Sequence, residues 1–160
     1  MIKIRDIQAR DRGKIYELMQ QDDKFKSAEL EAMLYRIDLN LFDAEQRLFK
    51  VIIAENENKE LIGFAIYGPD PRAFDTFQIH NLDHSPKLKD SGVLNNLLQY
   101  IESQLLKNKG RIIVVEISSH IRYKNQYETY LKNNFNLSSR INNFYSHGED
   151  KLILSKFLAL

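Results

Sequence analysis

Between Thr76 and Lys109 the pattern of polar and apolar positions changes twice. Thr76-Phe-Gln-Ile-His-Asn-Leu82 reads as a strand, and Asp83-His-Ser-Pro-Lys-Leu-Lys-Asp-Ser-Gly92 is a polar loop ending in glycine. From Val93 onward, Leu94, Leu97, Leu98, Ile101 and Leu105 recur at helical spacing and make one apolar face. A loop that feeds a helix N-terminus presents N–H groups without intrahelical partners, together with the positive end of the helix dipole. Such an end can hold a phosphate, and Lys87 and Lys89 lie in the same loop. A plain strand-to-helix connection has the same pattern.

The flanking chain extends this unit in both directions. Ile2-Lys-Ile-Arg5 alternates as a short strand, and Asp11 is placed to cap a helix reaching Gln21, with Ile15, Leu18 and Met19 inward. Ser27 is placed to cap a second helix, whose buried face carries Leu30, Met33, Leu34 and Ile37. Val51-Ile-Ile-Ala54 and Leu61-Ile-Gly-Phe-Ala-Ile-Tyr67 form a hairpin across the polar turn Glu55 to Glu60, and Gly68-Pro-Asp-Pro71 ends it. Gly110 is placed to stop the helix that begins at Val93. Arg111-Ile-Ile-Val-Val-Glu-Ile117 is apolar on both faces, as an interior strand is. Tyr123, Tyr127, Tyr130 and Leu131 stripe another helix, and Lys151-Leu-Ile-Leu-Ser-Lys-Phe157 is a last strand. Strand, two helices, three strands, helix, strand, helix and closing strands describe an α/β chain with a mixed sheet and helices on its faces.

Composition narrows the chemistry. The 160 residues suit one domain spanning 1–160, with 43% hydrophobic and 28% charged residues. A formal charge of +1 gives no electrostatic footprint for nucleic acid. The absence of cysteine removes disulfides, thiolate metal sites and cysteine nucleophiles. His84, His120 and His147 show no regular ligand spacing, so no metal is expected. No apolar run approaches membrane-spanning length and Met1-Ile-Lys-Ile-Arg-Asp6 lacks a signal-peptide core, so the expected location is cytoplasmic, away from membranes.

Four stretches, taken in order, resemble the GNAT (GCN5-related N-acetyltransferase) family. They are the hairpin Val51-Ile-Ile-Ala54 to Leu61-Ile-Gly-Phe-Ala-Ile-Tyr-Gly-Pro69, the strand–loop–helix around Gly92, Tyr130-Leu-Lys-Asn-Asn-Phe135, and Arg140-Ile-Asn-Asn-Phe-Tyr-Ser-His-Gly-Glu-Asp150. The third is similar to the family's Tyr-x-x-x-Gly-Phe. The fourth, with Val114-Val-Glu-Ile-Ser118, resembles a branch carrying "Val-Val-Glu-Thr-Ser" and "Asp-Phe-Tyr-x-x-Gly-Asp-Asp". The resemblance implies a GNAT-like fold and transfer of an acetyl group from acetyl-CoA to an amine. The other class of function is a GNAT-like binding or interaction module without turnover.

By the same resemblance, strands 77–82 and 111–117 are parallel neighbours that part near Leu82, with Leu82 beside pantetheine. The pyrophosphate loop is Lys87 and the run Lys89-Asp-Ser-Gly92-Val-Leu94: Lys89, Asp90, Ser91, Gly92, Val93 and Leu94. The family's usual pattern is Arg/Gln-x-x-Gly-x-Gly/Ala, so Leu94 adds bulk and Asp90 an anion where phosphates would lie. Both predict weakened cofactor affinity. Asn134 replaces the glycine of Gly-Phe and suits a left-handed backbone. Tyr130 matches the tyrosine near the thioester sulfur, or is a core tyrosine with a wet tip. Glu116, an acid in an apolar strand, is a candidate base or else a strand-end partner of a lysine. His80 is a lesser candidate for titration. Tyr123, Phe144 and Tyr145 are candidates for the acceptor pocket, or pack the core or a homodimer contact.

Overall fold

The computed structural model describes residues 1–21, 26–88 and 92–158. In chain order its elements are β1 (Lys3–Asp6), α1 (Asp11–Gln20), α2 (Ser27–Phe42), β2 (Lys50–Glu55), β3 (Leu61–Pro69), β4 (Thr76–His84), α3 (Val93–Lys107), β5 (Ile112–Ser118), α4 (Lys124–Lys132), β6 (Asn136–Ser146) and β7 (Glu149–Phe157). The strands form one seven-stranded sheet of order β1-β2-β3-β4-β5-β7-β6. Every neighbouring pair is antiparallel except β4 and β5, which α3 joins as a crossover. The expected succession of elements is therefore the observed one.

Alternation along β2 and β3 explains the two core layers. Ile52, Ala54, Ala65 and Tyr67 face α3 and α4, where Leu97, Leu98, Ile101 and Leu105 fill the layer. Val51, Ile53, Phe64 and Ile66 face the other way, against Ile15 and Met19 of α1 and Met33 and Ile37 of α2. Because both faces are covered, these strands are apolar at successive positions.

Local details depart from the expectations in instructive ways. Asp11 is the first residue of α1 and not its cap. Its carboxylate is fully buried and takes two hydrogen bonds from Arg5, at 2.7 and 2.9 Å, and one from the Gln8 N–H at 2.8 Å. Burial alone would raise this carboxyl; the Arg5 and Gln8 donors more than offset it and hold it below its ordinary range. Ser27 is likewise one residue inside α2, and Glu29 accepts from the Lys26 N–H at 3.1 Å. At the end of α3 the left-handed residue is Lys109 (φ +58°), not Gly110. Gly110 is needed for room: a β-carbon there would lie 3.0 Å from the Leu105 carbonyl oxygen and 3.2 Å from the Phe77 ring. On α4, Leu131 turns outward at 42% exposure, whereas Gln126 is 4% exposed.

Gly63 seats the start of α3 on the sheet. A β-carbon at Gly63 would stand 2.6 Å from Val93 Cγ1 and 2.9 Å from the Asp83 carbonyl oxygen. Gly63→Ala should therefore overpack this contact and cost about 1–3 kcal/mol. Urea unfolding will measure it, and an unshifted midpoint would show that α3 can back away freely.

Candidate active site

The parallel ladder is short. It runs from Thr76 opposite Ile112 to Ile79 opposite Val115 and stops. Past that point β4 stays with β3 as far as His84 opposite Gly63, and β5 stays with β7 as far as Ser118 opposite Lys151. The two inner strands thus part, three residues before Leu82, and their facing edges lose ladder partners. A β-bulge accompanies the fork: Tyr67 pairs with Ile79 but Ile66 pairs with Asn81, leaving His80 as the extra residue. Ile79 and Leu82 both reach the core layer under α3, although three positions separate them. The bulge absorbs that odd spacing and turns His80 and Asn81 toward α2.

Two hollows abut at the fork, with successive residues of β4 and α4 lining both. The first, about 430 Å³, lies between α3 and α4 and is lined by His84, Gly92, Val93, Leu94, Thr129 and Lys132 among others. Gly92 has φ +76°, a left-handed conformation that a side chain would strain, and it turns the chain into α3. The first bond along the helix is Asn96 N–H to the Gly92 carbonyl at 2.9 Å, and Gly92, at the N-cap, has no side chain to cap it. The N–H groups before it border a groove whose described charged residues are Lys132 and Glu128, and a helix N-terminus is suited to an anion.

The second hollow, about 270 Å³, opens toward α2. It is lined by His80, Asn81, Leu82 and Asp83 of β4, Glu116 of β5, Gln126 and Tyr130 of α4, and by Tyr123, Tyr145 and Glu149. Asn81 Oδ1 and Gln126 Oε1 are buried here without hydrogen-bond partners. Gln126 spends its Nε2 donor on Asp83 Oδ1 at 3.1 Å. Two orphaned acceptors in one cleft fit a guest that brings N–H donors, as the amide-bearing pantetheine arm of CoA does. Among the described residues no group of His, Asp and Glu is arranged to hold a metal ion, and no helix is long and apolar enough to cross a membrane.

No family model and no curated protein matches the sequence. Solved structures do. A GNAT-family protein from Desulfovibrio desulfuricans superposes with a TM-score of 0.90 at 21% identity, covering 99% of this chain and 100% of that one. The ribosomal-protein-S18-alanine N-acetyltransferase of Escherichia coli gives 0.80 at 16% identity, covering 100% and 96%. A phosphinothricin acetyltransferase of Sinorhizobium meliloti, solved with acetyl-CoA, gives 0.78 at 15% identity, covering 99% and 89%. The fold is the GNAT acetyltransferase fold.

On this GNAT frame the residues singled out from the sequence separate into groups. Tyr130 is 2% exposed, stands edge-on to Phe135 with ring centroids 5.1 Å apart, and lines the fork beside Leu82. Burial, with the Asp83 charge adding to it, pushes its hydroxyl well above the ordinary range, so it stays a donor. Asn134, just past Tyr130, has φ +67°, the left-handed conformation expected of it. Glu116 is the first residue of β5 beyond the ladder; its side chain is half-exposed and pairs with Lys151 at 2.9 Å. Tyr123 and Tyr145 line the cleft, whereas Phe144 lies on the sheet's outer surface, 49% exposed, with Lys151 Nζ 4.1 Å from its ring centroid. His80 packs against Phe49 at 5.2 Å; burial first, then the Arg36 charge, lowers it to about 4, a neutral imidazole at physiological pH.

The phosphate loop needs a correction. Lys89, Asp90 and Ser91 lie outside the described residues, so the effect expected of Asp90 stays an expectation. Lys87 borders a different hollow, with Lys14 and Leu18. Among the described residues the lysine lining the α3 groove is Lys132, the last residue of α4, which nothing in the sequence marks. Leu94 is 6% exposed and its side chain belongs to the core under α3. Leu94 lines the edge of the α3 groove, but most of its side chain is packed into the core, because the first turn of an amphipathic helix buries that face. Leu94→Ala should consequently cost about 2–5 kcal/mol of stability without tightening CoA binding. Thermal unfolding and calorimetry with CoA will test the pair of outcomes, and tighter binding would return the leucine to the role of obstruction.

Proposed function

We propose that this protein transfers the acetyl group of acetyl-CoA to a primary amine. The observation that carries the reading is the forked β4–β5 pair with the glycine-led N-terminus of α3 on one side and Tyr130 at its centre. Backbone N–H groups at Val93 and Leu94, aided by Lys132, would take the pyrophosphate, and the opened strand edge at Leu82 with Asn81 and Gln126 would take the pantetheine amides. Bound there, acetyl-CoA supplies a thioester carbonyl for the amine to attack, forming the amide and releasing the CoA thiol.

The chain's own groups then manage geometry and protons. Holding both reactants in the fork replaces a bimolecular encounter by a positioned one. Attack requires a neutral amine. Glu116 stands at the mouth of the fork with its carboxylate open to water, so a proton taken from the amine, directly or through one water, can leave to solvent. Tyr130 works at the other end. A phenol this strongly raised holds its proton and stabilises the departing thiolate by donating a hydrogen bond, which strengthens as negative charge grows on sulfur. Glu149 does not compete as the base. It accepts from Ser118 Oγ at 2.6 Å, from Arg122 Nη2 at 3.1 Å and from Ser146 Oγ at 3.1 Å. The Ser118 hydroxyl first, against burial, and then Arg122 keep it ionised and bound up.

Tyr130→Phe keeps the ring packing on Phe135 and removes only the hydroxyl. Acetyl-transfer rate should fall by about 10²–10⁴-fold while calorimetric affinity for acetyl-CoA stays near wild type. Turnover is to be measured against a panel of primary amines. Wild-type protein that binds neither CoA nor acetyl-CoA would refute the proposal, and full activity in the phenylalanine variant would remove Tyr130 from the chemistry.

A further inference from the structure

Glu29, Ala32 and Arg36 recur along one stripe of α2 and form its wall of the cleft, while Met33 and Ile37 of the same helix enter the core. The acids that share the cleft are already engaged. Glu29 accepts from the Lys26 N–H, Asp83 from Gln126, Glu116 from Lys151, and Glu149 from Ser118, Arg122 and Ser146. Arg36 differs. It is half-buried, and among the described residues no carboxylate lies within ion-pair distance and no acceptor meets its guanidinium. It lies over the Phe49 ring, with Cζ 5.9 Å from the centroid. The adjacent His80 is held neutral, so it neither repels an anion nor replaces Arg36 as a cation.

Withdrawing a guanidinium from water without an anionic partner is costly, and burial is what lowers its proton affinity here. Among the described residues lining the cleft Arg36 is the one cation, and its planar fork of donors matches a carboxylate in two parallel hydrogen bonds. His80 and Glu116 are the first residues beyond the ladder, and the Arg36 charge acts on His80. A small acceptor with its amine at the fork and an anion toward α2 would use both ends of a cleft of about 270 Å³. We propose that Arg36 anchors a carboxylate of the acceptor, so that the amine acetylated is that of an amino-acid-like molecule. This rests on the acyl-transfer reading above.

The test measures acetyl transfer to matched pairs of free amino acids and their carboxamides. Wild type should favour the free acids by about tenfold or more in kcat/KM, the effect of one charge-assisted bidentate contact. In Arg36→Gln that ratio should fall toward one through a rise in KM for the acids, and Arg36→Lys should recover part of it. Equal use of acid and carboxamide, or a preference that survives in Arg36→Gln, overturns the proposal. A second measurement needs no turnover. Saturation-transfer NMR with N-acetyl amino acids should show binding to wild type that Arg36→Gln loses, with thermal melts establishing that both are folded. Absence of binding to wild type overturns the proposal as well. Calorimetry with CoA separates the two readings: binding of the acids without binding of CoA keeps the Arg36 anchor and removes acetyl transfer, and the converse removes the anchor alone.

Discussion

Everything about the site depends on where the β4–β5 ladder stops. A parallel pair in the middle of a sheet normally continues until one strand ends. Here it lasts from Thr76 and Ile112 to Ile79 and Val115, and each strand then follows its outer neighbour. The outer pairings are antiparallel and long, β3 with β4 on one side and β5 with β7 on the other, so the fork opens without unravelling the sheet. The bulge at His80 lets β4 bend away while Ile79 and Leu82 both keep their places in the core. An opened edge of this kind exposes backbone donors and acceptors inside the protein, where only a guest with amide groups can meet them.

The fork also separates two electrostatic environments. On the α3 side, the helix N-terminus and Lys132 present positive charge to a groove that an anion can enter. On the α2 side, Glu116 and Glu149 pair with Lys151 and Arg122, Glu29 and Asp83 accept from neutral donors, and Arg36 has no carboxylate partner among the described residues. Between them Tyr130 is buried, and burial with the nearby Asp83 charge keeps its proton in place. Both hollows thus flank one break in one ladder.

Much of the frame was legible in the chain. The stripe Leu94, Leu97, Leu98, Ile101 and Leu105 defined α3 and its buried face, because a helix of this period can hide only one side. The apolar runs marked β2 and β3 as a hairpin and β5 as an interior strand, and Asn134 announced a left-handed turn after Tyr130. Resemblance to a family suggested Tyr130, and an acid in an apolar strand suggested Glu116; the structure lines one cleft with both.

What the sequence could not decide are contacts between residues distant along the chain. Period says that Leu94 lies on the apolar face of α3, but only packing shows that its side chain is almost wholly taken up by the core while the residue still borders the groove. Lys87 is near the groove in sequence and Lys132 is near it in space, a difference set by how α4 crosses α3. Arg36 reads as one more solvent-facing cation on a helix; its lack of a counter-ion is visible only when α2, β4 and β5 are assembled. Local pattern determines which side of an element is hidden, because that depends on neighbours three or four residues away. Which charges meet, and which one is left over, depends on long-range packing, and tertiary structure alone decided it.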